Sequence, residues 1–207
     1  MADRDSEDFD STDGADFGDD GILAAPAVDV LVEAPRWAEL LPDAEALVVR
    51  AAHAAYAAGA PDAFEPEPPD LTELTVVLHD DSAVRALNKQ YRRKDQPTNV
   101  LSFAALEGDM PPLPEDEPVP LGDVVLALET CEREAQAAGI PFEHHVFHLV
   151  VHGVLHLLGY DHEDDGDADE MEAMETAVLA AAGIPDPYAA AGDNEEESAP
   201  PAPESER

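Results

Sequence analysis

The chain has 207 residues, enough for one domain with a sizeable core and little more. Ten Lys and Arg stand against 48 Asp and Glu, a formal charge of −38, which excludes a polyanion binder held by overall charge. Any nucleic acid has to be met at a local basic patch against a repulsive field.

The hydrophobic fraction is 44% with only 5% aromatics, so the core must be built mainly from Ala, Leu and Val. The single Cys131 excludes an intramolecular disulfide framework and a Cys-rich zinc module, and it fits a reduced, cytoplasmic setting. No stretch approaches the roughly 20 apolar residues that span a bilayer. The first twenty residues carry nine acids and one base, the reverse of a signal peptide's basic start, and read as a disordered acidic tail.

Val28–Val32 is a short β-branched run suited to a strand. Pro42–Ala58 has helical spacing with Gly59 as its expected terminator, and the four prolines of Pro61–Pro69 mark a loop. Leu74–Leu78 reads as a strand, and Ser82–Arg93 as a helix capped by Ser82. Val100–Phe103 is a third strand, the five prolines of Pro111–Pro120 a second loop, and Val124–Leu128 a fourth strand. Helices are then expected over Glu129–Ala138, Phe142–Leu158 and near Ala168–Ala182, each followed by a glycine. Met171 and Met174, at helical spacing on the last of these, read as core.

Residues 189–207, with six acids, one base and three prolines, read as a second disordered tail. What remains, 21–188, still carries −25 and reads as one α/β (α+β) domain: a small sheet of about four strands packed by about five helices. Its acidity is that of a surface suited to solubility or high salt.

Six of the eight histidines lie between His144 and His162. His152 and His156 are four apart, so on a helix their rings leave one face and can share a metal. Gly159 ends the helix and turns the chain, letting His162 supply a third ligand. Three neutral imidazoles leave one tetrahedral position open, as at a catalytic zinc, although a purely structural metal stays an alternative. The spacing resembles the HExxHxxGxxH helix of the metzincin peptidases, so the metal helix is zincin-like. Gly153 stands where those enzymes place their Glu general base, which disfavours peptide hydrolysis. His148, one turn earlier, either approaches the site or packs between helices.

Arg85, Lys89, Arg92, Arg93 and Lys94 concentrate half of all Lys and Arg within ten residues. Arg85, Lys89 and Arg92 share a helix face, and the planar fork of Arg suits a phosphate clamp. A helix whose bases merely offset nearby acids is the plainer alternative.

Taken together, HGVLHLLGYDH at His152–His162 and LNKQYRRKDQPTNVLSF at Leu87–Phe103 resemble the signature segments of the YbeY family of bacterial endoribonucleases, with LGDVV at Leu121–Val125 a weaker third match. The resemblance covers roughly residues 70–188. It implies a zinc-binding α/β fold, cleavage of single-stranded RNA, 3′ end maturation of small-subunit ribosomal RNA and ribosome quality control. His152, His156 and His162 would hold one Zn2+ ion, and Arg92 would contact the scissile phosphate. Lys89 and Arg93 would hold flanking phosphates, and Asn99 and Ser102 would support the site through hydrogen bonds. The small ribosomal subunit is the expected partner, with no DNA and no membrane. A non-catalytic, zinc-stabilised ribosome assembly factor and a metal-dependent peptide or amide hydrolase are the alternatives.

Overall fold

The computed structural model describes residues 23–64, 66–105, 114, 117–162 and 165–189. The two acidic ends therefore lie outside the described residues, Ala189 apart, as does half of the Pro111–Pro120 loop. In chain order the elements are β1 (Ala27–Val32), α1 (Arg36–Leu40), α2 (Ala44–Ala63), β2 (Thr72–His79), α3 (Asp81–Arg92), β3 (Val100–Ala104), β4 (Val119–Ala127), α4 (Leu128–Ala138), α5 (Phe142–Leu157) and α6 (Asp165–Ala181). The strands form one sheet in the order β1-β2-β4-β3. β2 runs parallel to both β1 and β4, and β3 lies antiparallel on the β4 edge. The result is the expected α/β domain with four strands, carrying six helices among the described residues rather than five.

Each parallel pairing forces a crossover, and helices supply it. On β2 the residues Thr72, Leu74, Val76 and Leu78 alternate into the interior. Leu74, Val76 and Leu78 join the main core with Trp37, Tyr56, Leu126, Val150 and Val154, under α2 and α5. The opposite face is closed by α3, where Val84 meets Leu101, Val125 and Ala127. α5 buries side chains all round, from Val146 to Leu157, as a helix without an amphipathic face must. It threads between the β3–β4 half of the sheet and helices α2, α4 and α6. None of the described helices is long and apolar enough to cross a membrane.

Local departures from expectation have identifiable causes. α2 continues through Gly59 to Ala63, because that glycine serves close packing instead of termination. A Cβ there would lie 3.0 Å from Leu155, Leu158 and Tyr160 side-chain atoms. Asp80, not Ser82, caps α3: its Oδ1 accepts the Ala83 N–H at 2.8 Å. β4 begins at Val119, inside the expected loop. Pro120 is tolerated there because it sits second in the strand, beside a register irregularity at Glu73/Leu74. Leu128 opens α4 instead of closing the strand. α1 is too short at five residues to show a helical period, yet it buries Trp37 completely and lets its indole N–H donate to the His79 carbonyl at 3.0 Å.

Candidate metal centre and cleft

The end of α5 builds the site. Gly159 takes φ 93°, a value that a side chain would strain, and the Tyr160 N–H reaches back to the Leu155 carbonyl at 3.1 Å. That turn returns His162 over the helix, so ligand atoms of His152, His156 and His162 all lie within 4.8 Å of one another.

Hydrogen bonds fix which nitrogen each helical ring offers. His156 Nδ1 lies 2.8 Å from the Tyr160 carbonyl, which can only accept, so Nδ1 carries the proton. His152 Nδ1 lies 2.7 Å from Glu175 Oε1 on α6 and donates to that carboxylate. In the neutral rings both Nε2 atoms therefore present lone pairs, and these face each other 3.1 Å apart. Two facing lone pairs repel unless a cation lies on them. Burial, aided by His152 nearby, pushes the His156 pKa down to about 4, which keeps that ring neutral and ready to ligate. The donor set fits a divalent ion taken by imidazole nitrogens, with zinc, nickel and copper all compatible.

Glu175 is the carboxylate behind the site. It is 1% exposed and also bonds His148 Nε2 at 2.7 Å and the Tyr188 hydroxyl. Burial alone would raise its pKa, but the hydrogen bonds from His148, His152 and Tyr188 outweigh that and hold it down to about 2. His148 thus packs against Glu175 rather than offering a fourth ligand. On the opposite side, the Tyr160 hydroxyl donates to the Gly59 carbonyl at 3.1 Å, tying the turn to α2.

Gly153 is pressed against the sheet: a Cβ would stand 2.6 Å from Val124 Cγ1 and 3.2 Å from Ser102 Oγ. The Ser102 hydroxyl donates to the Gly153 carbonyl at 3.1 Å, pinning β3 to α5. A carboxylate at this position has nowhere to go, so the departure from the peptidase pattern is built into the packing.

In front of the histidines lies an open cleft of about 980 Å³, walled by His152, His156 and His162 on one side and by Tyr91, Arg92, Lys94 and β3 on the other. Arg92 is thereby brought to the same space as the three rings. Lys89 and Arg93 do not line it. The Lys89 ammonium is 2.8 Å from Asp95 Oδ2, and Arg85 holds Oδ1 at 2.7 Å. The hydrogen bonds from Arg85 and then Lys89 lower the Asp95 pKa to about 2. Arg93 ends α3 in the left-handed conformation at φ 59°. Asn99 lines the cleft while its side chain bonds Glu134 at 3.0 Å and accepts the Val100 N–H at 2.7 Å.

Sequence alone does not single out Glu175, Tyr188 or the cleft position of Lys94. A signal for Glu175 does exist, since it shares a helix face with Met171 and Val178, where an unpaired acid would be costly. Tyr188 lies in an irregular segment after α6 and leaves no periodic trace.

The family model described as endoribonuclease YbeY matches residues 49–183. A protein from Rhodospirillum rubrum bearing that name is 57% identical over 162 residues, covering 78% of this chain and 80% of the relative. Its namesake in Paramagnetospirillum magneticum is 54% identical over 162 residues, 78% of this chain and 94% of the relative. Bradyrhizobium diazoefficiens has another at 49% over 164 residues, covering 79% and 86%. The solution structure of a Thermotoga maritima protein aligns over 86% of this chain and 99% of its own, at 21% identity and a TM-score of 0.42. The chain belongs to the endoribonuclease YbeY family.

Proposed function

We propose that the chain is a zinc-dependent endoribonuclease cutting single-stranded RNA, active in the cytoplasm in 3′ end maturation of small-subunit ribosomal RNA and in ribosome quality control. One juxtaposition carries the reading: the Nε2 faces of His152 and His156 open into the same cleft as Arg92 and Lys94. The name shared by its relatives supports RNA as the substrate.

An ion held by His152, His156 and His162 supplies, when bound, Lewis acidity toward water and toward a phosphoryl oxygen. The chain's own side chains do the rest. Arg92 takes two oxygens of the scissile phosphate in its planar fork and offsets charge that builds as the bond breaks. Lys94 holds a flanking phosphate as a point charge, with Lys89 and Arg93 meeting more distant ones along the rim. Glu175 and the Tyr160 carbonyl keep the Nδ1 protons of His152 and His156, so both rings present Nε2 throughout. The close packing of Gly153 on Val124 disfavours a peptide or amide hydrolase, which would need a carboxylate there.

Metal content and cleavage of single-stranded and duplex RNA, measured on one preparation with and without a chelator, test the reading. The expected result is one zinc per chain and cleavage of the single strand alone, lost on chelation. His156→Ala abolishes cleavage, and Arg92→Ala keeps the fold and the metal while slowing it about 10²-fold or more. An Arg92→Ala protein with full rate removes the phosphate clamp. Holoprotein that cuts nothing, with a metal-stripped chain that stays folded and binds small ribosomal subunits, makes the protein an assembly factor instead.

A further inference from the structure

We infer that Tyr91 forms a stacking seat for one unpaired nucleobase at the mouth of the cleft, next to the phosphate that Arg92 holds. The inference rests on RNA as the substrate and adds the subsite through which single strands are told from duplexes.

Tyr91 is 60% exposed, more than any other large apolar side chain among the described residues. A single exposed aromatic is ordinary, so exposure alone decides nothing. Its setting does. The ring meets Phe103 edge to face, with centroids 5.0 Å apart at 65°. Phe103 in turn packs against the buried cluster of Val84, Leu101, Val125 and Ala127. Tyr91 is therefore an exposed ring braced from below, with little rotamer freedom left to lose when a ligand stacks on it.

Position supplies the second half. Tyr91 and Phe103 line the same cleft as the three histidines, and Arg92 and Lys94 flank them there. Cations tracking a backbone beside an aromatic face are the means by which proteins grip single strands without reading sequence. A base in a duplex already has both faces covered and would have to unstack first, whereas an unpaired base reaches the ring freely. The seat thus favours single strands through stacking, independently of charge.

Fluorescence anisotropy of a short fluorescein-labelled single-stranded oligoribonucleotide, read before cleavage on the metal-loaded protein, tests this. Tyr91→Ala should raise Kd roughly tenfold, and Tyr91→Phe and Tyr91→Trp should restore most of the affinity, because stacking needs the ring and not the hydroxyl. The slope of log K against log salt stays unchanged in Tyr91→Ala, while Lys94→Ala reduces it by about 0.7. An abasic oligomer of equal length binds wild type and Tyr91→Ala alike. The side chain is on the surface, so an unchanged unfolding temperature certifies the variant. A Tyr91→Ala Kd within about twofold of wild type overturns the seat, as does failure of Tyr91→Phe to rescue. If the wild type itself neither binds nor cuts the oligomer, RNA as substrate fails and the seat with it. If it cuts normally and only the Tyr91 effect is missing, the seat alone is wrong.

Discussion

Replacing Glu175 by Gln keeps the shape of that side chain and removes its charge, and the metal site is where the change is felt. Glu175 accepts the Nδ1 proton of His152, and an amide accepts it more weakly. Carboxylates in this position typically contribute 10- to 100-fold in metal affinity. A divalent ion held by the three rings of Glu175→Gln is therefore expected to pass to a competing chelator at a concentration about 10- to 100-fold lower than wild type requires. An unchanged competition curve would show that Tyr160 and the helix alone orient the rings. Such bracing is what sequence conveys least well. The three histidines are legible because a spacing of four plus a helix-ending glycine has few other uses. Glu175 is less so, because it stands among exposed acids such as Glu170 and Glu172, and only the helix face it shares with Met171 and Val178 separates it from them. Gly153 is half legible. The missing Glu argues against a peptidase from sequence alone, but its cause, contact with Val124, belongs to the folded chain.

At the level of elements, α5 and α4 meet through a histidine–carboxylate pair. His145 Nε2 lies 3.0 Å from Glu134 Oε2 of α4, and His148 of its own helix adds a like-charge influence. Burial outweighs the attraction of Glu134 and lowers the His145 pKa below its ordinary 6.5. The sign follows directly: as pH falls through about 6.5, the unfolded chain takes up a proton that the folded chain refuses, so stability is lost on acidification. His145→Gln removes this proton uptake. Its melting temperature should fall less than that of wild type between about pH 7 and pH 5, by scanning calorimetry. An equal fall in both proteins would mean that His145 titrates normally. In the same elements strands are more legible than helix ends. β2 and the centres of β3 and β4 carry plain apolar runs, whereas α2 hides its end because Gly59 serves α5. α1 gives no period at all in five residues.

For the molecule as a whole, charge is the dominant long-range term. Exposed pairs such as Arg36–Glu132, Arg85–Asp95 and Lys89–Asp95 are screened by water and contribute little to stability. Against them stands the mutual repulsion of a chain at −38, which shorter screening lengths relieve. Added NaCl should accordingly raise the melting temperature, with most of the gain between about 0.01 and 0.15 M, where the Debye length falls from about 30 to 8 Å. A melting temperature that drops over that range would assign the net stabilising electrostatics to the pairs. Arg92 and the rings of His152, His156 and His162 all precede Glu175 and Tyr188 in the chain, yet His152 takes its brace from Glu175. A nascent polypeptide that has emerged only as far as the histidines holds His156 on Tyr160 but leaves His152 without its anchor. The centre is therefore fully braced only once α6 has been made, so the growing chain carries its histidines before it carries the carboxylate that orients His152.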